Sequence, residues 1–172
     1  GPGTSTAVLA EAFPNASILG VDYSQSMIDA AKAAYPKLDF LLFDATTDFA
    51  RLPKTFDVVF SNACIQWVPD HPTLLQNMLG VLNEHGVLAV QVPINDQEPI
   101  HQIIQSVAQR PEWVEKFPHS RVFHTLSPDT YFDLLSRLHT DVTMWETIYY
   151  HRMPSHDSIL EWYSSTGLRP YL

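Results

Sequence analysis

Carboxylates close two apolar runs that are typical of buried strands in a parallel sheet. Asp22 follows the run 18–21, and Asp44 follows the run 39–43. The carboxyl ends of parallel strands meet at one edge of a sheet, where α/β proteins bind ligands and where a carboxylate can accept hydrogen bonds from ribose hydroxyls. Ser24, a good helix N-cap, comes two residues after Asp22. Asp22 is therefore predicted to lie at the mouth of a strand-to-helix loop.

A glycine-rich stretch, Gly1 to Gly3, precedes this carboxylate. Gly3 lies 19 positions before Asp22, close to the spacing of about 20 between a glycine-rich cofactor loop and its ribose carboxylate. Two alternatives remain open, because Gly-Pro is a common remnant of tag cleavage and an Asp after a strand is often only a helix cap. Together with Asn62, which ends another predicted strand, the pair favours a nucleoside site.

The type of nucleotide is also indicated by the glycine stretch. A dinucleotide needs a pyrophosphate cradle, usually G-x-G-x-x-G at the start of a helix. The stretch GPGTST lacks glycine or alanine at the third small position, which disfavours NAD. One carboxylate for a ribose diol and a second polar group for an adenine amine suit a single nucleoside instead.

Composition excludes several classes of protein. The chain has 172 residues, 45% of them hydrophobic and 17% charged, which predicts one globular domain. The net charge of −9 disfavours nucleic acid or an anionic membrane as a partner. The single cysteine, Cys64, cannot form an internal disulfide, and it fits a reducing cytoplasm. The eight histidines show no ligand spacing, so we predict no metal.

The expected elements alternate between strands and helices over the first half of the chain. Helices are expected at 4–13, 25–34 and 72–82, and strands at 18–21, 39–44, 56–62 and 86–92. This alternation predicts βαβ units and an α/β fold, Rossmann-like and doubly wound, with a mostly parallel sheet.

The pattern changes after the fourth predicted strand. Residues 98–140 look helical although they contain four prolines, which predicts a helical insertion or lid. Residues 141–150 alternate enough to be a strand. We therefore expect a cofactor-binding core over 1–97, the insertion over 98–140, and the remaining strand and helix of the same domain over 141–172.

The ends of the chain lack expected elements. The glycine stretch would follow a first, central strand, yet no strand precedes it, and no closing edge strand follows Leu172. We expect the chain to be an internal segment of a longer protein. The alternative is a shortened chain with a modified sheet.

Several motifs resemble those of class I S-adenosylmethionine-dependent methyltransferases. The superfamily-like motifs are GPGTST at 1–6, VDYSQSM at 21–27 and FDA at 43–45. The motifs similar to the trans-aconitate methyltransferase family are SNACIQWVPDH at 61–71, LAVQVP at 88–93, IYYH at 148–151 and EWYSSTGLRP at 161–170. The resemblance covers almost the whole chain, although the family's usual first strand, with its Asp-Leu-Gly-Cys ending, and its last strand are absent.

The resemblance implies S-adenosylmethionine as the cofactor and S-adenosylhomocysteine as its product. Gly1 and Gly3 would lie against the methionine part, and Asp22 would hold the ribose hydroxyls. The other residues implied around the cofactor are Tyr23 and Met27 near the adenosine, Asp44 and Ala45 at the adenine edge, Asn62 by the sulfonium, and Gln66 and Trp67 around the methyl group.

The resemblance also implies O-methylation of a carboxylate on a small organic acid such as trans-aconitate. A carboxylate is ionised at neutral pH, so the reaction needs no general base and we assign no catalytic residue. A polycarboxylate substrate needs cationic or donor groups, for which arginine is best suited. The candidates are Arg169 and Arg152, with Tyr149, Tyr150 and His151 as further donors; adjacent strand residues face opposite ways, so at most one tyrosine should face the ligand.

The sequence leaves other functions open. The acceptor could instead be an acyl-carrier-linked carboxylate or a natural-product hydroxyl. The chain could also be a non-catalytic cofactor-binding module or a nicotinamide dehydrogenase. For the leading hypothesis we expect a small-molecule partner, neither nucleic acid nor membrane, a monomer or weak homodimer, and a cytoplasmic location.

Overall fold

The chain folds into two compact units in the computed structural model, which describes residues 1–52, 55–95, 97–117, 122–164, 167–168 and 171. The units are Gly1–Val92 and Pro93–Leu172. The boundary directly follows the fourth strand, at residue 92 rather than at the predicted residue 97. Residues 141–172, which were expected to belong with the core, fall in the second unit. A role of 98–140 as a lid stays a prediction.

Strands and helices alternate through the first unit, as the sequence predicts. Its elements are α1 (Thr4–Ala12), β1 (Leu19–Asp22), α2 (Gln25–Ala34), β2 (Asp39–Leu42), β3 (Phe56–Asn62), α3 (His71–Gly80) and β4 (Leu82–Gln91). Single 3₁₀ turns at Phe49–Arg51 and Ile65–Trp67 lie in the loops after β2 and β3. The α2 and β3 bounds agree with the sequence prediction, and the other bounds differ at one or both ends.

The four strands pair in parallel as two two-stranded sheets. β1 pairs with β2 so that Asp22 lies opposite Leu42, and β3 pairs with β4 so that Asn62 lies opposite Gln91. Rather than one continuous sheet, the described residues thus form two parallel pairs. In each pair the first strand ends on a polar residue, as expected for the nucleoside site that the sequence predicts at the strand ends.

Two amphipathic helices cover these sheets. α2 packs against β1 and β2 and buries Ile28 and Ala31, which are three residues apart and so share one face. α3 packs against β4 and buries Leu74, Leu75 and Met78 along one side. Burial of such a side chain contributes about 1.5–3 kcal/mol, so these faces anchor the strand ends.

The second unit is helical where it is described. Its helices are α4 (Pro99–Ala108), α5 (Pro111–Val114), α6 (Pro128–Leu138) and α7 (His156–Ser164). Proline begins α4, α5 and α6, because its fixed φ suits the first helical turn and its missing N–H is not needed there. Among the described helices, none is long and apolar enough to cross a membrane.

The predicted strand over residues 141–150 is not formed. This segment is irregular, and it exposes several large side chains, including Trp145, Ile148 and Tyr150. An alternating pattern alone cannot make a strand, because a strand is stabilised by hydrogen bonds to a neighbouring strand. No described residue supplies that neighbour.

Gly20 in β1 leaves no room for a side chain. An added Cβ would lie 2.6 Å from Cδ1 of Phe40 and 2.7 Å from Oγ1 of Thr6. We expect Gly20→Ala to lower the free energy of unfolding by about 1–3 kcal/mol, the usual cost of overpacking. Urea unfolding measures the change.

Gly80→Ala is the matched control for this prediction. A Cβ at Gly80 meets nothing within 4 Å, and alanine in a helix is favoured over glycine by about 0.5–1 kcal/mol. The control is therefore expected to stabilise the protein or leave its stability unchanged. Equal losses in both variants would contradict the close approach at Gly20.

Candidate functional site

Asp22 lies at the carboxyl end of β1, and both of its carboxylate oxygens have protein partners. The backbone N–H of Ser24 donates to Oδ1 at 2.8 Å, and the nitrogen of Gly1 donates to Oδ2. Asp22 therefore also stabilises its own loop, as the capping alternative suggested. Each ionised oxygen has two acceptor positions, so the carboxylate can still accept hydrogen bonds from a diol.

Asp44 lies beside Asp22 at the same edge. The pairing places Asp22 opposite Leu42, and the N–H of Phe43 donates to the carbonyl oxygen of Asp22 at 2.9 Å. Oδ1 of Asp44 accepts from the backbone N–H of Thr46 at 2.8 Å and from its hydroxyl at 2.6 Å. One oxygen of Asp44 thus shapes the loop after β2.

Asp48 closes that loop from the other side. Its Oδ2 accepts from the backbone N–H of Asp44 at 3.0 Å and from Nη1 of Arg51 at 2.6 Å. The hydrogen bond from Asp44, followed by the contact with Arg51, holds the pKa of Asp48 below its ordinary value. Sequence reasoning missed Thr46 and Asp48, although short polar residues after a strand-ending Asp are a signal for such turns.

The glycine loop leads into α1 under tight steric limits. Gly3 has φ +89°, and an added Cβ would lie 2.8 Å from Cδ2 of Tyr35 and 3.0 Å from Cζ of Phe40. Only glycine combines this conformation with this closeness. By contrast, a Cβ added at Gly1 would meet nothing within 4 Å. Side chains therefore pack closely against the loop at Gly3, whereas no atom lies close to Gly1 in the direction of a Cβ.

The loop after β3 lies near the glycine loop. Cys64, two residues after Asn62, comes within electrostatic range of the nitrogen of Gly1. The carboxyl ends of β1, β2 and β3, where Asp22, Asp44 and Asn62 lie, are together called the rim.

Two buried oxygen atoms near this rim have no hydrogen-bond partner. They are Oε1 of Gln66, a residue that is 4% exposed, and Oγ of Ser61. The amide nitrogen of Gln66 donates to the carbonyl oxygen of Ala63 at 2.9 Å, which fixes the side chain. Buried polar atoms are nearly always hydrogen-bonded, so these two are candidates to bind a donor group of a ligand.

The remaining predicted cofactor residues differ in exposure. Trp67 is 38% exposed and Tyr23 is 76% exposed. Met27 and Ala45 are half-buried, and Asn62 is exposed at the end of β3. These residues therefore leave the rim accessible from solvent, and their role stays a prediction.

The predicted substrate-binding residues that the structure describes lie in the second unit: Tyr149, Tyr150, His151 and Arg152. All four are exposed. The ring of His151 lies 6.3 Å from that of Tyr149 and 4.9 Å from that of Trp162. Arg169 lies outside the described residues, so the substrate site remains a prediction.

The side chains at the rim present oxygen atoms that can accept hydrogen bonds. Its groups are the carboxylates of Asp22 and Asp44, the orphaned oxygens of Gln66 and Ser61, and an open backbone at Gly1. This set suits a nucleoside whose hydroxyl and amino groups donate hydrogen bonds and whose tail is positively charged. In the part of the chain that the structure describes, no group of three possible ligands could hold a metal ion.

The sequence is similar to a family of known enzymes. A family model described as a methyltransferase domain matches residues 1–90. The chain is 42% identical to the trans-aconitate 2-methyltransferase of Methylobacterium radiotolerans, with 100% of this chain and 67% of that protein aligned. It is 41% identical to the enzyme of the same name from Escherichia coli O7:K1, with 100% and 66% aligned. The chain spans about two thirds of the length of these relatives.

Solved structures are similar in fold. The plantazolicin methyltransferase BpumL in complex with SAH aligns with a TM-score of 0.58 at 19% identity, over 98% of this chain and 66% of that one. Its complex with a pentazolic desmethylPZN analog and SAH aligns with a TM-score of 0.56 at 20% identity, over 80% and 52%. Identity at this level shows the fold alone.

Asp48→Asn tests the charge that closes the loop after β2. Because the folded pKa of Asp48 is depressed, the charge stabilises the wild type above the ordinary carboxyl pKa of about 3.9, and this contribution is lost as the pH falls through the folded value. We expect the wild type to be the more stable protein at about pH 6 and its advantage to shrink below about pH 4. Urea unfolding across this range measures it; a pH-independent difference would contradict the assignment.

Proposed function

Since the chain belongs to the trans-aconitate 2-methyltransferase family of class I S-adenosylmethionine-dependent methyltransferases, we propose that it methylates a carboxylate of a small organic acid, with trans-aconitate as the first candidate. S-adenosylmethionine, when bound, supplies a cationic sulfonium whose methyl group passes to the acid. The observation that carries the proposal is the sheet edge at which the pairing of β1 with β2 sets Asp22 beside the loop that begins at Asp44.

The nucleoside half of the cofactor is assigned to the first sheet. Asp22 accepts hydrogen bonds from the two ribose hydroxyls, while its contacts with Ser24 and Gly1 keep the carboxylate in place. Asp44 and Ala45 bind the adenine edge from the neighbouring loop. The contacts from Thr46 and Asp48 support this assignment because they fix the loop without a ligand.

The charged half of the cofactor is assigned to the glycine loop and the loop after β3. The methionine tail carries an ammonium, a carboxylate and a sulfonium, of which the ammonium and the sulfonium favour nearby acceptors. Oε1 of Gln66 and Oγ of Ser61 are buried acceptors without a partner. The residues present therefore fit the cofactor.

The reaction asks for positioning rather than proton transfer. The attacking carboxylate of the acid is already ionised at neutral pH, so no side chain has to remove a proton from it. Holding two reactants in line supplies about 7–11 kcal/mol of the barrier reduction. Gln66 and Trp67 are assigned to the wall around the reacting methyl group, where they exclude water.

The acid itself requires cationic partners. The chain carries a net charge of −9, so a polycarboxylate must meet local arginines to bind. Arg152 and Arg169 are the proposed partners, because a guanidinium pairs with a carboxylate through two parallel hydrogen bonds. Tyr149, Tyr150 and His151 are proposed as further donors to the same acid.

Asp22→Asn tests the proposed ribose contact. The amide keeps an oxygen that can accept from Ser24 but loses the charge that strengthens hydrogen bonds to ribose. We expect the affinity of the full-length protein for S-adenosylhomocysteine to fall by about 1.5–3 kcal/mol in calorimetry, the range for hydrogen bonds to charged groups. Asp29→Asn on the exposed side of α2 is the control and should bind like the wild type. Unchanged affinity in Asp22→Asn would show that this residue caps the loop and does not bind ribose.

Arg152→Gln tests the proposed acid contact. Loss of one charge-assisted partner should raise KM for trans-aconitate about tenfold or more while KM for the cofactor changes little. Arg137→Gln, at an exposed position of α6, is the matched control. Transfer of labelled methyl groups to a panel of carboxylic acids provides the measurement. Equal changes in both KM values would argue against a role in acid binding, and no transfer to any acid by the wild type would refute the proposed substrate class.

A further inference from the structure

His71 is a buried histidine whose role the family assignment does not explain. It is the first residue of α3, and only 1% of it is exposed. Its ring Nε2 lies 2.9 Å from the carbonyl oxygen of Ile65. A carbonyl oxygen can only accept, so Nε2 carries the hydrogen and donates it. The contact therefore fixes one tautomer of the ring.

The carbonyl that His71 binds belongs to the turn that carries Gln66 and Trp67. The carbonyl oxygen of Ile65 also accepts from the backbone N–H of Val68 at 2.8 Å, which closes this 3₁₀ turn. The carbonyl oxygen of Ile65 thus accepts one backbone hydrogen bond from Val68 and one side-chain hydrogen bond from His71 in the following helix. The backbone N–H of Trp67 also donates to the carbonyl oxygen of Cys64 at 3.2 Å.

The turn is fixed at its other side as well. The Nε2 of Gln66 donates to the carbonyl oxygen of Ala63 at 2.9 Å, and the N–H of Ala63 donates to the carbonyl oxygen of Gln91 at 3.0 Å. Oε1 of Gln66 is left buried and without a partner. The amide orientation that presents this oxygen therefore depends on the shape of the turn.

Backbone strain flanks the turn on both sides. Ala63 has φ +48° and Asp70 has φ +53°, a region that non-glycine residues rarely adopt. Such strain persists only where surrounding contacts impose it, and it concentrates at functional sites. The backbone reversal at Asp70 immediately precedes His71, whose ring reaches back to Ile65. The contact between His71 and Ile65 thus lies within the segment that these two residues flank.

We propose that His71 is a positioning residue for the cofactor site. By donating to the carbonyl of Ile65, it holds the turn in the shape that leaves Oε1 of Gln66 free to accept from the cofactor. His71 itself touches neither cofactor nor acid. The inference rests on the proposed function for the identity of the ligand, and on the contacts above for the shape of the turn.

Two substitutions of His71 separate positioning from general packing. In His71→Gln the amide nitrogen can reach the place of Nε2, whereas in His71→Asn it reaches only the place of Nδ1. Both variants replace the ring with a polar amide at a fully buried position, so both should lose stability for this common reason. His85→Asn, at an exposed histidine, is the control for the substitution itself.

The variants are compared in the full-length protein by calorimetry with S-adenosylhomocysteine and by hydrogen exchange of the amides of residues 66–68 without ligand. We expect His71→Gln and His85→Asn to match the wild type. His71→Asn should bind about three- to tenfold more weakly, the loss of one hydrogen bond, and its turn amides should exchange faster. KM for the acid should change less than the affinity for the cofactor, because the amide oxygen that His71 positions is assigned to the cofactor.

The outcomes separate this inference from the proposed function. Equal affinities and equal exchange rates in His71→Gln and His71→Asn would overturn the positioning role while the wild type still binds. A wild type that fails to bind S-adenosylhomocysteine would overturn the proposed function, and with it the claim that His71 acts on cofactor affinity. Weaker binding in His71→Asn that His71→Gln restores supports the proposal.

Discussion

The carboxylate of Asp22, fixed at the end of β1, is the constraint on which the site depends. The N–H of Ser24 and the nitrogen of Gly1 both donate to it. The pairing of β1 with β2 also places this carboxylate beside the loop that begins at Asp44.

Much of the fold could be predicted because its signals are local. The helix α2 lies between a capping position and a proline, and β3 is a short apolar run that ends in polar residues; both have the predicted bounds. The motifs identified the family correctly, and with it the Rossmann-like fold, S-adenosylmethionine as the cofactor and methyl transfer as the reaction. Motifs such as Val21-Asp22 at a strand end can be recognised in the sequence because their residues are adjacent in the chain.

The rest depends on partners that are distant in sequence. The segment 141–150 alternates like a strand but has no neighbouring strand among the described residues, so its pattern was misleading. The roles of Asp48 and His71 arise when a loop folds back on itself, and neither residue stands in a recognisable motif for that role. The orphaned oxygen of Gln66 is visible only in three dimensions, because burial and the absence of a partner are properties of packing. Sequence reasoning named Gln66 but could not find what holds it.

The most direct test of the account is to map S-adenosylhomocysteine onto the backbone of the isotope-labelled full-length protein by NMR. If the nucleoside lies along the rim, the largest changes in amide shifts upon titration will fall at Gly3, at Asp22 and Tyr23, at Asp44 and Ala45, and across residues 62–67. Changes confined to other parts of the chain, or no saturable change at all, would contradict the assignment of this rim as the cofactor site.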